Sequence, residues 1–343
     1  MTGKDEKMNK TKQLFTHISS DNELSVNLKE VDVPSPKSHE IVVKMQASPI
    51  NPSDMWPMFG PADLSKAQLS DDKTTLTAPI HKGMLGRVKS RLDQTLPIGN
   101  EGAGVVVAAG DSEKAQALIG KTVAILTGAS YTQYACVPIQ ACIVHHDDTT
   151  PLAAASSFVN PLTALGMVET MRMEGHTALV HTAAASSLGI MLNKICLAEG
   201  VQLVNIVRKQ EQVDLLTQIG AKYVVNSSSD SYKKDLYKAI EATGATLAFD
   251  AIGGGDLASD ICAHAFDKGL TYGSLDNKQV YIYGGLDFSP TVLNRAFGMT
   301  WSVGGWLLMR FLGKLDAPKV AELHKRVADE INTTFAIESS EEL

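Results

Sequence analysis

Five short apolar runs, TALVHT (177–182), VQLVNIV (201–207), YVVN (223–226), TLAFDAI (246–252) and QVYIYGG (279–285), are separated by stretches long enough for a helix. Repetition of strand, helix and strand predicts a doubly wound parallel sheet with helices on its faces. Upstream of about residue 150 the pattern differs. Runs such as IVVKM (41–45), GVVVAAG (104–110) and TVAIL (122–126) are β-branched and punctuated by Pro, Gly and Asp, which predicts short strands. Residues 61–94 show helical candidates and no strand alternation. A chain of 343 residues is long for one core, and the change of period near 151 divides it into two domains.

The first run leads into HTAAASSLGIMLNKICLAEG (181–200), which reads as a strand, a turn of small residues and a helix. That order aims backbone N–H groups and a helix N-terminus at a phosphate. Of the glycine fingerprint of dinucleotide-binding turns only Gly189 is present, with Ala184 and Ser186 at the other two places. Small side chains still admit a pyrophosphate, and Thr182, Ser186 and Ser187 add hydroxyl donors. A turn that only packs small residues would look the same. The next strand strengthens the nucleotide reading. It ends in Arg208 and Lys209, where NAD-binding sheets carry an acid for the ribose hydroxyls. A guanidinium grips a 2′-phosphate that a carboxylate would repel, so NADPH is the expected cofactor.

A net charge of −7 argues against a nucleic-acid partner, which requires a basic face. The four cysteines are scattered and form no CxxC pair, as in reduced cytoplasmic proteins. The N-terminal MTGKDEKMNKTK lacks an apolar core, so no secretory signal is expected. The apolar stretch 301–312, interrupted by Gly304, Gly305 and Arg310, is too short to span a membrane and reads as a buried helix. His145 and His146 would point to opposite faces of a strand and read as solvated linker residues rather than a metal pair.

SPINPSD (48–54), PIGNEGAGVV (97–106), NPLTALGMV (160–168), AAASSLG (183–189) and LTQIGAKYVVN (216–226), in this order, resemble one family. It is the zinc-independent branch of the medium-chain dehydrogenase/reductases, with its NADPH:quinone oxidoreductases and enoyl thioester reductases. The resemblance implies an α/β protein: a GroES-like β-barrel catalytic domain over 1–150 and a Rossmann NADP-binding domain over 151–297. Segment 298–343 would return to the first domain, and a small-molecule substrate would occupy the cleft. The resemblance also implies that Asn160 and Thr163 lie near the nicotinamide, as do Gly284 and Gly285, with Tyr223 near the adenosine. A homodimer through strand 279–285 is a further implication.

Zinc members of that family place a cysteine where this chain has Asn51, a histidine where it has Asn100, and a third ligand close to Asn160. An amide oxygen is a weak, neutral ligand, so no metal is expected. Hydride transfer without a metal suits quinones and α,β-unsaturated carbonyls, whose added charge delocalises onto oxygen. Asn51, Asn160 and Thr163 are the candidates for contacting that oxyanion, and Trp56 and Phe59 for walling the substrate pocket. Enoyl thioester reductases carry a tyrosine proton donor soon after the NPSD motif, and NPSDMWPMFGPAD has none. Quinone or enone reduction is therefore read first and enoyl thioester reduction second. An NADPH-binding sensor or structural protein with little turnover comes third. The final IESSEEL stops where relatives add a helix and a closing strand.

Overall fold

The computed structural model describes residues 10–264, 277–294, 298 and 300–337. The N-terminal stretch up to residue 9 and most of IESSEEL lie outside them. Contacts divide the chain into one unit of Met1–Val159 with Ala328–Asn332 and a second of Asn160–Val327 with Thr333–Leu343.

The first unit is built on two five-stranded sheets. One contains β1 (Lys10–Ile18), β2 (Glu23–Asp32), and later strands over 68–69, 75–79 and 95–97, in antiparallel register wherever paired. The other runs through β3 (Glu40–Ala47) and its partner Glu101–Ala109, flanked by Tyr134–Pro138, Thr122–Leu126 and Cys142–Val144. The β-branched runs IVVKM, GVVVAAG and TVAIL form the heart of this second sheet. Ile41, Val43, Val106, Val123 and Ile125 pack in its core.

Residues 61–94 differ from their sequence reading. Thr75–Pro79 is a strand paired with β2, and Lys82–Arg91 winds as a 3₁₀ segment. Burial of Val88, with Met84 and Leu85 against it, fastens the segment to the cluster containing Ile18, Leu24 and Met58. Arg91 then reaches the end of helix Pro52–Phe59, donating to the carbonyls of Trp56 at 3.1 Å and Pro57 at 2.6 Å. The last carbonyls of a helix are short of internal partners, and the guanidinium donates to two of them while opposing the helix dipole. The Trp56 carbonyl also accepts from the Gly60 N–H at 2.9 Å, so Arg91→Ala leaves only the Pro57 carbonyl without this donor. Both contacts are exposed, so water replaces part of the loss, and we expect a cost of about 1 kcal/mol, read as a lower denaturant midpoint with unchanged slope.

The second unit carries a six-stranded parallel sheet: Ala178–Thr182, Gln202–Val207, Tyr223–Asn226, Leu247–Asp250, Lys278–Ile282 and Trp301–Gly305. In chain order within this sheet they are numbered here β4 to β9, and their spatial order is β6-β5-β4-β7-β8-β9. All five residues of β4 are buried, as a central strand covered on both faces requires. Val180, Val204, Ile206, Val225, Ala248 and Val280 pack in one cluster with the helix Tyr232–Thr243.

The stretch 301–312 is not a single buried helix. Trp301–Gly305 is a strand beside β8, and only Leu308–Leu312 is helical. Aromatic and β-branched residues followed by two glycines suit a strand better than a helix interior. The strand at 279–285 is therefore internal, and among the described residues β9 and β6 are the two edges. It also keeps this part of 298–343 in the second unit rather than returning it to the first. Among the described residues no helix is long and apolar enough to cross a membrane.

Candidate functional site

In the second unit the chain builds outward from β4 in one direction, then returns to place β7 on its other side. Where the order reverses, the loops at the strand ends diverge and leave a crevice, the usual seat of a ligand in such sheets. The turn after β4 occupies this position. Ala183 adopts φ +50°, and the Ala184 N–H donates to the Ile206 carbonyl at 3.3 Å. Ser186 caps the helix Ser187–Glu199 by accepting from the Gly189 N–H at 3.2 Å. Ser186 and Ser187 are exposed, whereas Ala184 and Gly189 are buried. A Cβ on Gly189 would lie 2.2 Å from the Ala184 carbonyl oxygen, so the one surviving glycine is the one that lets helix and turn touch. The turn thus retains an anion-binding shape: small residues, an exposed serine pair and a helix N-terminus of ample length.

Arg208 and Lys209 follow β5, two residues beyond the Ile206 that holds the turn. Their backbone N–H groups both donate to Gln212 Oε1 at 3.1 Å, which fixes the strand exit. Lys209 pairs with Glu211 at 3.3 Å, while Arg208 has no ion pair among the described residues. Gly284 and Gly285 follow β8, and a Cβ on Gly284 would stand 2.6 Å from the Ala251 carbonyl oxygen. That glycine permits close passage past the turn after β7.

Two assigned cofactor residues are placed elsewhere. Thr182 is fully buried; its hydroxyl donates to Asp250 Oδ1 at 2.7 Å and accepts from the Ala251 N–H at 2.8 Å. It ties β4 to β7 and has no free face. Tyr223 begins β6 opposite Val204, at the far end of the strand from the Arg208 side, and packs against the core. Asp250, absent from the residues expected above, also accepts from the N–H groups of Ile252 at 2.9 Å and Gly253 at 3.1 Å. An acid ending an apolar strand just before AIGGG was the available signal. His181 is packed inside, with Nε2 2.8 Å from the Tyr283 hydroxyl, and burial pushes its pKa down to about 3. It is neutral at physiological pH.

In the first unit, SPINPSD and PIGNEGAG meet at two buried carboxylates. Asn51 is 6% exposed, Asp54 2% and Glu101 1%. Asp54 accepts from the backbone N–H groups of Asn51 and Asn100, each at 2.8 Å. Glu101 accepts from Asn51 Nδ2 at 2.9 Å and from the N–H groups of Phe158 and Val159 at 2.8 and 3.0 Å. Asn100 donates to the Ser53 hydroxyl at 3.0 Å. Burial raises the Asp54 pKa. Burial pushes Glu101 up from 4.5 to about 7, with its three N–H donors opposing the shift. A carboxyl that keeps its proton longer in the folded chain adds stability that is complete below pH 4.5 and is lost as pH rises through about 7. The loss is on the order of 3 kcal/mol. The stability difference between the native protein and Glu101→Gln should therefore drift by that amount across this window, as urea melts at stepped pH would show.

Of the aromatic pair, Trp56 is 37% exposed, whereas Phe59 is half-buried and packs against the core cluster that contains Met58. Asn160 and Thr163 lie in the first turns of helix Val159–Met173, with Thr163 buried. His145 is buried rather than solvated. Its Nε2 is 2.9 Å from the Ser157 hydroxyl, and burial pushes its pKa down to about 4, while His146 faces outward to Asp329. Among the described residues no three His, Cys, Asp or Glu side chains gather as a metal ion would require.

No family model matches the chain. It is 27% identical over 270 residues to the mitochondrial enoyl-[acyl-carrier-protein] reductase of Xenopus tropicalis, covering 75% of this chain and 68% of that protein. It is also 27% identical over 235 residues to prostaglandin reductase-3 of Mus musculus, covering 67% and 58%. The curated enoyl reductases that it matches are spanned over 63% to 75% of their length. Among solved structures, a Mesorhizobium loti protein described as an NADPH:quinone reductase superposes with TM-score 0.69 at 25% identity, covering 96% of this chain and 90% of that one. A mutant form of the enoyl thioester reductase from Candida tropicalis shares the fold, with TM-score 0.69 at 18% identity and coverage of 96% and 91%.

Proposed function

We propose that this chain, a zinc-independent medium-chain dehydrogenase/reductase, is an NADPH-dependent reductase of quinones or α,β-unsaturated carbonyls. The observation that carries the cofactor half of this reading is the turn between Thr182 and Gly189 with Arg208 unpaired beside it. NADPH, when bound, supplies a hydride. Ser186, Ser187 and the helix N-terminus are assigned to its pyrophosphate, and Arg208 with Lys209 to its 2′-phosphate. Gly284 and Gly285 are assigned to the nicotinamide end. An acceptor that gains hydride develops charge on oxygen, which needs hydrogen-bond donors already in place. Asn51 has two amide hydrogens, one spent on Glu101, so the second is available for that oxygen. Asn160 and Thr163 are the other donors assigned to the acceptor, and the exposed Trp56 is an apolar contact for it. Protonation of the product is assigned to water.

The test is loss of the reduced-nicotinamide absorbance on mixing NADPH and the protein with a panel of quinones and enones. Turnover with several members is the expected result. Tight NADPH binding with no turnover across the panel would replace this reading with that of a cofactor-binding sensor.

Enoyl thioester reduction is the second reading, supported by the names of the curated relatives. It is also supported by an exposed cationic run, Lys82, Arg87 and Lys89, with no acid between His81 and Leu92. Such a run suits a substrate carried on a phosphorylated arm. Adding enoyl thioesters to the same panel separates the two readings. A homodimer through β9, an edge strand among the described residues, and a cytoplasmic setting belong to the proposal as well. The curated relatives named above include mitochondrial enzymes, and sedimentation and cell fractionation address the two points.

A further inference from the structure

Three of the sequence motifs converge on one side chain that the mechanism above leaves without a task. Glu101 lies in PIGNEGAG, its Oε1 faces Asn51 of SPINPSD, and its Oε2 faces the N–H groups of Phe158 and Val159, just before NPLTALG. Every group that reaches the carboxylate is a donor. Asp54 and Tyr131 are the titratable neighbours; the Tyr131 hydroxyl donates to the Pro49 carbonyl at 3.0 Å, and no ion pair involving Glu101 or Asp54 is present among the described residues. The Ser130 hydroxyl is held by the backbone carbonyl of Glu101 at 2.7 Å.

This donor set dictates how Asn51 is turned. An ionised carboxylate only accepts, so the atom facing it must be the amide nitrogen of Asn51, and the amide oxygen faces away. We propose that Glu101 is a positioning residue: it fixes the orientation of the Asn51 carboxamide and anchors the chain at Phe158 and Val159, from which the helix bearing Asn160 and Thr163 begins. The inference rests on the assignment of Asn51 to the acceptor.

Glutamine at position 101 reverses the pattern with almost no change of shape. Its oxygen goes to the two backbone N–H groups, which have no other acceptor in that arrangement, and its NH₂ then faces Asn51. Two donors cannot meet, so the Asn51 amide flips and presents the wrong atoms on its free side. Protonating native Glu101 has a related effect, because the added hydrogen displaces one of the three donors. The ionised form is the one that positions Asn51. Activity therefore falls on acidification while the stability contribution of the buried carboxyl rises.

The experiment compares the native protein with Glu101→Gln, Asn51→Ala and the double variant, using NADPH and an acceptor from the panel. Glu101→Gln should bind NADPH within about threefold of native and lose roughly 10- to 100-fold in kcat. The double variant should be no worse than the poorer single one, because both changes remove the same contact. The acid limb of the native kcat profile should be absent in Glu101→Gln. Native-like kcat in Glu101→Gln, or multiplicative losses in the double variant, would overturn the inference. If Asn51→Ala is fully active, the assignment of Asn51 fails and the inference fails with it. If Asn51→Ala is impaired but Glu101→Gln is not, only the inference fails.

Two further measurements cover the remaining outcomes. Should the native protein turn over nothing on the panel, the Asn51 side-chain amide resonance, identified by its loss in Asn51→Ala, carries the test. Slow hydrogen exchange that accelerates in Glu101→Gln supports the inference, and an unchanged resonance refutes it. Should Glu101→Gln not fold, Glu101→Asp keeps the charge but withdraws it by one methylene; faster exchange of the Asn51 amide supports the inference, and native exchange refutes it.

Discussion

Gly189→Ala is expected to raise the NADPH dissociation constant by roughly 50-fold and to destabilise the second unit by about 2–3 kcal/mol. The added methyl carbon would stand 2.2 Å from the oxygen, 2.5 Å from the carbonyl carbon and 2.8 Å from the Cα of Ala184. All three are backbone atoms, so no rotamer change relieves the contact. Either the helix Ser187–Glu199 slides or the turn moves outward. Both options break the Gly189 N–H bond to Ser186 and displace the N–H groups assigned to the pyrophosphate. Gly86→Ala is the matched control, because a methyl there meets nothing within 4 Å. Fluorescence titration with NADPH and thermal melts of the two variants check the prediction, and equal behaviour of the two would refute it.

Arg208→Asp should weaken NADPH by about 100-fold and change NADH by less than about threefold. Loss of a charge-assisted pair of hydrogen bonds and introduction of a repulsive carboxylate together supply about 3 kcal/mol against a 2′-phosphate. NADH has no such group and loses little. Arg208 is the better target of the two cations, since Lys209 is partly neutralised by Glu211 and its neighbour is not. The backbone around position 208 is held by Gln212 rather than by the guanidinium, so the fold should survive the change. Parallel titrations with the two cofactors give the answer, and equal losses would remove Arg208 from the 2′-phosphate site.

The strands were legible wherever local pattern and tertiary environment agree. YVVN forms a strand with the bounds read from sequence, and the central β4 shows the continuous burial that its apolar run implied. The misreadings share a cause. Thr182 beside a phosphate turn looks like a donor to a ligand, but its hydroxyl is taken by Asp250, nearly seventy positions later. Tyr223 looks like a neighbour of the adenosine, yet it begins its strand at the end away from Arg208 and packs against the core. Residues 301–305 read as helix only because the apolar run continues through 312; Trp301, Val303 and the two glycines suit a strand, and β8 pairs with them. Glu101 was visible as a letter in a motif. Its hydrogen bonds come from segments about fifty residues to either side, which no local window contains.

The grip of Arg91 on the helix Pro52–Phe59 bears on how this protein could change over evolutionary time. Surface loops usually exchange between homologues as independent cassettes. Here the segment ending in Arg91 supplies donors to two closing carbonyls of the helix whose N-cap is Asn51. Deleting or grafting residues 61–94 alone would remove both of those donors. The segment and the helix should be inherited, shortened or transplanted together, as one module.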